Sequence, residues 1–112
     1  MSAAAFITLQ TLSIEPARAD TVVARAHITL GRDAHDISAT ATGTIAAMTE
    51  ILYALGAGIE IVRLSQQRDG DETVTYLLCE RDSRQGWSSG RGRDGDEATV
   101  NALIAGANQL AA

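Results

Sequence analysis

The chain repeats its own pattern of polar and apolar segments. Arg32-Asp33 leads through a polar stretch to Gly43 and into an apolar helical pattern, and 49 positions later Arg81-Asp82 leads in the same way to Gly92. An internal repeat of this length indicates two copies of one supersecondary unit, which pack on each other because neither buries its apolar face alone. The copies are predicted to cover about residues 6–57 and 58–112, and function is expected at the seam between them.

Alternating side chains and turn residues predict three strands in each copy. The clearest strand covers residues 22–30, where every second residue is apolar, as in a half-buried antiparallel strand. Residues 6–14 favour a strand by composition although their alternation is poor. Asp69-Gly70 is a strong signal for the turn of a hairpin. The other predicted strands are residues 35–41, 59–66, 73–80 and 84–89.

Apolar residues at spacings of three and four predict one helix in each copy. The first helix follows Gly43, and the second begins near Asp94, which together with Glu97 resembles a capping box. The apolar stripes are Ile45, Met48, Leu52 and Leu55, then Val100, Leu103, Ala107 and Leu110. The order predicts an α+β fold in which two pseudo-symmetric βββα units form a six-stranded antiparallel sheet with helices on one face.

Length and composition exclude several classes of protein. The 112 residues suit a single domain and fall far below the roughly 250 residues of a (β/α)8 catalytic barrel. No apolar run approaches the ~20 residues of a membrane span, and residues 1–5 lack the basic start of a secretory signal, so a cytoplasmic protein is expected. The net charge of −5 argues against a nucleic-acid partner.

No combination of residues predicts catalysis or metal binding. His27 and His35 flank a predicted turn where they could face each other, but two imidazoles make a poor zinc site. Cys79 lies in an apolar run and is expected to be a buried small side chain. Gly90-Arg91-Gly92 lacks the ending of a phosphate-binding loop and is interpreted as a glycine pair that lets two backbones approach closely. We therefore predict no catalytic residue, no metal and no cofactor.

Small residues surround the start of both predicted helices, at Ala41, Gly43 and Ala46 in the first copy and at Gly90 and Gly92 in the second. They leave room where the copies meet, and free N–H groups at a helix N-terminus attract a carboxylate. A branched-chain amino acid suits such a pocket. The apolar side chains expected to hold its aliphatic part are Ile45, Ile61 and Leu64. The alternative interpretation is that the small residues only permit tight packing.

The same stretches resemble the C-terminal regulatory domain of 2-isopropylmalate synthase. Residues 38–48 resemble the G-x-G-P-x-D-A start of a helix in that domain, and residues 87–94 with the helical stretch 98–110 look like its second copy. The resemblance spans about residues 6–110. It implies a non-catalytic domain that dimerises and binds leucine between its two copies to inhibit a distant barrel. Related citramalate synthases use a similar domain to sense isoleucine.

The residues and the resemblance together define a predicted ligand site. Thr44 and Ala46 stand where the family has proline and aspartate, and Arg93 stands where a small or apolar residue is usual, so the identity of the amino acid stays open. The predicted site comprises Ala41, Gly43, Thr44, Ile45, Ala46, Ile61, Leu64, Gly90, Gly92 and Arg93.

The expected partners are a second copy of the chain, a branched-chain amino acid and, as a further candidate, a separate catalytic synthase chain. A homodimer is expected because two helices cover only one face of a six-stranded sheet, which leaves apolar surface to bury. Two alternatives remain open. One is a dimerisation module that has lost its ligand, and the other is a small enzyme with its site at the seam.

Overall fold

The computed structural model describes residues 6–111, and in it each unit has its own three-stranded antiparallel sheet and one helix. Unit one comprises β1 (Ile7–Pro16), β2 (Val22–Leu30), β3 (Asp33–Ala41) and α1 (Thr44–Ala54). Unit two comprises β4 (Glu60–Asp69), β5 (Glu72–Arg81), β6 (Arg84–Gly92) and α2 (Gly95–Leu110). The predicted α+β fold of two βββα units is confirmed. The described residues do not include residue 112 or residues 1–5, where the sequence predicts no secretory signal.

The strands form two sheets, whereas the sequence suggested one sheet of six strands. Sheet A has the order β1-β2-β3 and sheet B the order β4-β5-β6. In each sheet the face covered by the helix is called the inner face, and the opposite side is the outer face. None of the helices within residues 6–111 has the length and apolar character needed to cross a membrane.

A β-bulge near the start of the first strand of each sheet explains the poor alternation of that strand. The pairing register shifts between Leu9 and Thr11 in β1 and between Ile61 and Arg63 in β4. One extra residue changes the phase of the strand, so that apolar residues before and after the bulge point to the same side. In β1 these inner-face residues are Ile7, Leu9, Leu12 and Ile14.

The structural register of the repeat differs from the register read in the sequence. Leu30 and Arg81 end β2 and β5 at the same place, just before a two-residue turn, so equivalent residues in these hairpins lie 51 positions apart instead of 49. Gly92 is therefore the counterpart of Ala41 and not of Gly43. The sequence match was misleading because it aligned a turn with the end of a strand.

The two inner faces share one core, because α2 reaches beyond its own sheet. Helix α1 packs on β3 and β2, and α2 packs on β6 and β5 and also contacts β1 and α1. Near the end of α2, Asn108 holds both backbone groups of Ile7: its Oδ1 accepts from the Ile7 N–H at 2.7 Å, and its Nδ2 donates to the Ile7 carbonyl at 2.9 Å. The buried residues of the predicted helix stripes are Met48, Leu52, Val100, Leu103, Ala107 and Leu110.

Candidate functional site

Two predicted ligand residues, Gly90 and Gly92, lie directly beneath α2. Two residues of a strand advance about 6.6 Å along the strand, and four residues of a helix advance about 6.0 Å along its axis. One side of α2 can therefore lie close along β6 if the side chains on both are small. A Cβ on Gly90 would overlap the backbone nitrogen of Ala102 and lie 2.5 Å from the carbonyl oxygen of Ala98. The glycines serve close packing within unit two, which leaves no room for a ligand between β6 and α2. The inner face of β6 reads Gly86, Ser88, Gly90 and Gly92.

Gly43, in contrast, is not crowded. It precedes α1 in an extended conformation with φ −171° and ψ 172°, and a Cβ there would meet nothing within 4 Å. Its backbone therefore does not approach the other copy closely within the described residues. No side chain of residues 6–111 caps the first N–H groups of α1, and no acidic residue lies in the first turn of this helix.

The start of α2, unlike that of α1, has a side-chain cap and acidic residues in its first turn. Asp94 is the residue before the helix, and its Oδ1 accepts a hydrogen bond from the Glu97 N–H at 2.8 Å, as the sequence predicted. The Glu97 carboxylate accepts from the Arg93 N–H at 3.1 Å, one residue earlier than in a standard capping box. With Asp96 also in the first turn, α2 begins with a concentration of negative charge.

These two helix starts meet at a cavity of about 400 Å3 between the units, here called the seam cavity. Thr44, the first residue of α1, lines one side, and the acidic residues at the start of α2 line the other. The bulged face of β1 and Val100 of α2 supply apolar surface. The remaining lining residues are Leu9, Gln10, Thr11, Leu12, Ile14, Asp94, Asp96, Glu97 and Asn101.

The predicted ligand residues are spread over the described chain, and among them Thr44 alone lines the seam cavity. Around the start of α1, Ala41, Gly43 and Ile45 are half-buried and Ala46 is exposed. In β4, Ile61 packs against the core, whereas the Leu64 side chain is 48% exposed. The structure places Arg93 on the surface. It thus brings Thr44 to the seam cavity but does not bring the predicted set together.

Most of the seam cavity was missed from the sequence because the bulge in β1 hides its apolar face. Leu9 and Leu12 look out of phase when a strand is read with a strict period of two, yet both lie on the inner face. A one-residue phase shift in the apolar pattern was the available signal. The acidic residues at the start of α2 were recognised only as a cap.

The groups around the seam cavity complement a zwitterion. The unbonded N–H groups at the start of α1 carry the partial positive charge of a helix N-terminus, and Thr44 brings that end of the helix to the cavity. Asp96 and Glu97 carry full negative charges on the other side. The apolar surface of β1 completes a site with separate places for an anion, a cation and an aliphatic chain.

The histidines and the cysteine form no such site. His27 and His35 lie on opposite faces of sheet A, since His27 is paired with Asp36 and His35 with Ile28, so they do not face each other. Cys79 is fully buried, as predicted, and burial raises the pKa of its thiol more than the contact with Ser88 lowers it. Within residues 6–111 no group of three or more His, Cys, Asp or Glu side chains is placed to hold a metal ion.

No protein-family model and no curated protein matches the chain. The resemblance to the isopropylmalate synthase domain therefore rests on the motifs and on the order of the elements.

Proposed function

We propose that this chain is a non-catalytic regulatory domain of the 2-isopropylmalate synthase type, which binds a branched-chain amino acid in the seam cavity as a feedback signal. The observation that carries the proposal is the seam cavity itself, where two helix starts of opposite electrostatic character meet beside apolar surface. The repeated order of three strands and a helix supports the family resemblance.

Each part of the amino acid has a matching group in the proposed complex. The carboxylate binds at the uncapped start of α1 beside Thr44, where backbone N–H groups have no side-chain partner. The ammonium group lies toward Asp96 and Glu97, and the aliphatic side chain lies against Leu12 and Val100. Burial of that side chain contributes about 25 cal/mol for each Å2 of apolar surface removed from water.

The position of the seam cavity also suits regulation. Its walls come from β1 and α1 of unit one and from α2 of unit two, so a ligand there contacts both units. A ligand that favours one arrangement of the units shifts the population toward that arrangement. Occupancy of the cavity can therefore be transmitted to a partner that contacts either unit.

The first prediction concerns stability. Leucine, isoleucine or valine is expected to raise the melting temperature, by an amount equivalent to about 2.7 kcal/mol at a ligand concentration one hundred times the dissociation constant. Differential scanning fluorimetry measures the shift, and calorimetric titration measures the affinity. The matched controls for leucine are 4-methyl-2-oxopentanoate, which lacks the ammonium group, and 3-methylbutylamine, which lacks the carboxylate. Binding that is absent for all three amino acids would favour the dimerisation module.

The second prediction locates the carboxylate. In Gly43→Asp the new carboxylate caps α1 and occupies the N–H groups proposed to hold the ligand, so affinity for the amino acid should fall about tenfold or more. The stability of the unliganded chain should not fall, because aspartate is a favoured residue before a helix. Thr42→Asp is the control, since it adds the same charge one position before the cap. Equal affinity in both variants would exclude the start of α1 as the carboxylate site.

The outer face of sheet B favours dimerisation, with or without a ligand. Leu78 and Trp87 are directly paired there, and Tyr76 lies two residues along β5 on the same face. The Trp87 side chain is 55% exposed and that of Tyr76 is 38% exposed. Aromatic residues in an exposed apolar patch are typical of protein interfaces. In our proposal two copies pair through this face, which leaves the seam cavity on the inner side accessible.

A further inference from the structure

The outer face of sheet A carries a cavity of about 420 Å3, here called the outer cavity, whose apolar lining residues are Leu12, Ala26 and Ile37. It is built from two neighbouring rows of side chains that cross all three strands. In one row Thr11 is opposite His27, which is opposite Asp36, and in the other Ser13, Arg25 and Ser38 lie side by side. The cavity lies on the other side of the sheet from the seam cavity.

The polar residues of the outer cavity supply several groups that donate hydrogen bonds. Arg25 forms no ion pair with any carboxylate of the described residues, so its guanidinium is available to a ligand. Nδ1 of His27 is hydrogen-bonded to the Asp36 carboxylate, which leaves Nε2 of His27 as a further nitrogen for a ligand. The three hydroxyl groups, from Thr11, Ser13 and Ser38, can each donate a hydrogen bond.

Comparison of the two sheets shows which of these polar residues the fold does not require. With the 51-residue register, sheet B has Tyr76, Leu78 and Trp87 at the positions of Arg25, His27 and Asp36. Sheet B forms the same three-stranded structure with apolar residues there. The fold therefore does not require Arg25, His27 and Asp36 on this face of sheet A. The serine hydroxyl groups are common to both sheets, because Ser65 and Ser89 flank Tyr76 as Ser13 and Ser38 flank Arg25.

We propose that the outer cavity binds a small oxyanion of the phosphate class. The planar guanidinium of Arg25 matches the geometry of a phosphate group, which it binds through two parallel hydrogen bonds. The hydroxyl groups can donate to further oxygens of the ligand, and His27 lines the same cavity. The cavity is larger than inorganic phosphate needs, so a phosphomonoester of a small molecule fits it as well. This site and the amino-acid site lie on opposite faces of sheet A, and Thr11 and Leu12 line both cavities.

The two histidines of the chain provide a local readout of binding. The full chain, labelled with 15N, is titrated with inorganic phosphate, glycerol 3-phosphate and acetate at fixed pH and ionic strength while the imidazole signals are followed. Both phosphate species are expected to shift the His27 signals to saturation, whereas His35, on the inner face, keeps its position. Arg25→Gln should weaken the apparent affinity about tenfold or more, because it removes a charge-assisted contact.

Arg18→Gln is the matched control, since it removes an exposed arginine from the connection between β1 and β2 and should bind like the wild type. Melting curves establish that both variants remain folded. A shift with inorganic phosphate alone would restrict the ligand to the free ion, and a stronger shift with glycerol 3-phosphate would assign the site to phosphomonoesters. The proposal is overturned if neither phosphate species shifts His27 to saturation, if acetate binds equally well, or if Arg25→Gln binds like Arg18→Gln.

Discussion

Gly90→Val is expected to force α2 away from β6 and to reduce the free energy of unfolding by about 3 kcal/mol or more. The added side chain would overlap backbone atoms of Ala98 and Ala102, which cannot rotate aside as a flexible side chain can. A domain of this size has a total stability of about 5–15 kcal/mol, so the variant should be marginally folded or unfolded. Chemical denaturation followed by circular dichroism measures the change.

Gly43→Val is the matched control for Gly90→Val, because it introduces the same side chain at a position with open space. Its expected cost is at most about 1 kcal/mol, since valine is a poor residue before a helix. Comparable losses in the two variants would mean that α2 does not lie on β6 as closely as described. A large loss in Gly90→Val alone would support the close contact.

Trp87→Ala is expected to convert the proposed dimer into a monomer. A large aromatic side chain at the centre of an interface commonly contributes about 2 kcal/mol or more, which corresponds to a change of about thirtyfold in the dissociation constant. Light scattering coupled to size-exclusion chromatography gives the mass at micromolar concentration. Tyr53→Ala is the control, since Tyr53 is an exposed aromatic residue on α1 and lies outside the proposed interface. A wild-type chain that is monomeric under these conditions would refute the dimer.

The sequence predicted the elements with regular patterns closely. The strand predicted at residues 22–30 agrees with β2 (Val22–Leu30), because side chains alternate there without interruption. The helix stripes were correct since spacings of three and four need no knowledge of distant contacts. The bulges could not be read with a strict period of two, so the inner faces of β1 and β4 were not recognised.

The environments of the glycines could not be read from residue type. A glycine leaves space that a ligand or a helix can fill, or that can stay empty. Only the structure distinguishes Gly90, which is covered by α2, from the uncrowded Gly43. The 49-residue match also paired Gly43 with Gly92, although α1 and α2 start 51 positions apart. The sequence predicted Thr44 as a residue of the seam, because the start of a helix can be located from sequence. It did not predict the wall formed by β1, because that wall depends on packing between the units.

The hydrogen bonds between Ile7 and Asn108 join residues that are 101 positions apart. At a synthesis rate of 5–20 residues per second, β1 leaves the ribosome about 5–20 s before the helical turn that holds it. During that interval α1 can settle on β2 and β3, but the inner face of β1 is incompletely covered, because part of its cover comes from α2. Nascent unit one should therefore present the apolar residues of β1 to chaperones until the last turns of α2 have left the ribosome.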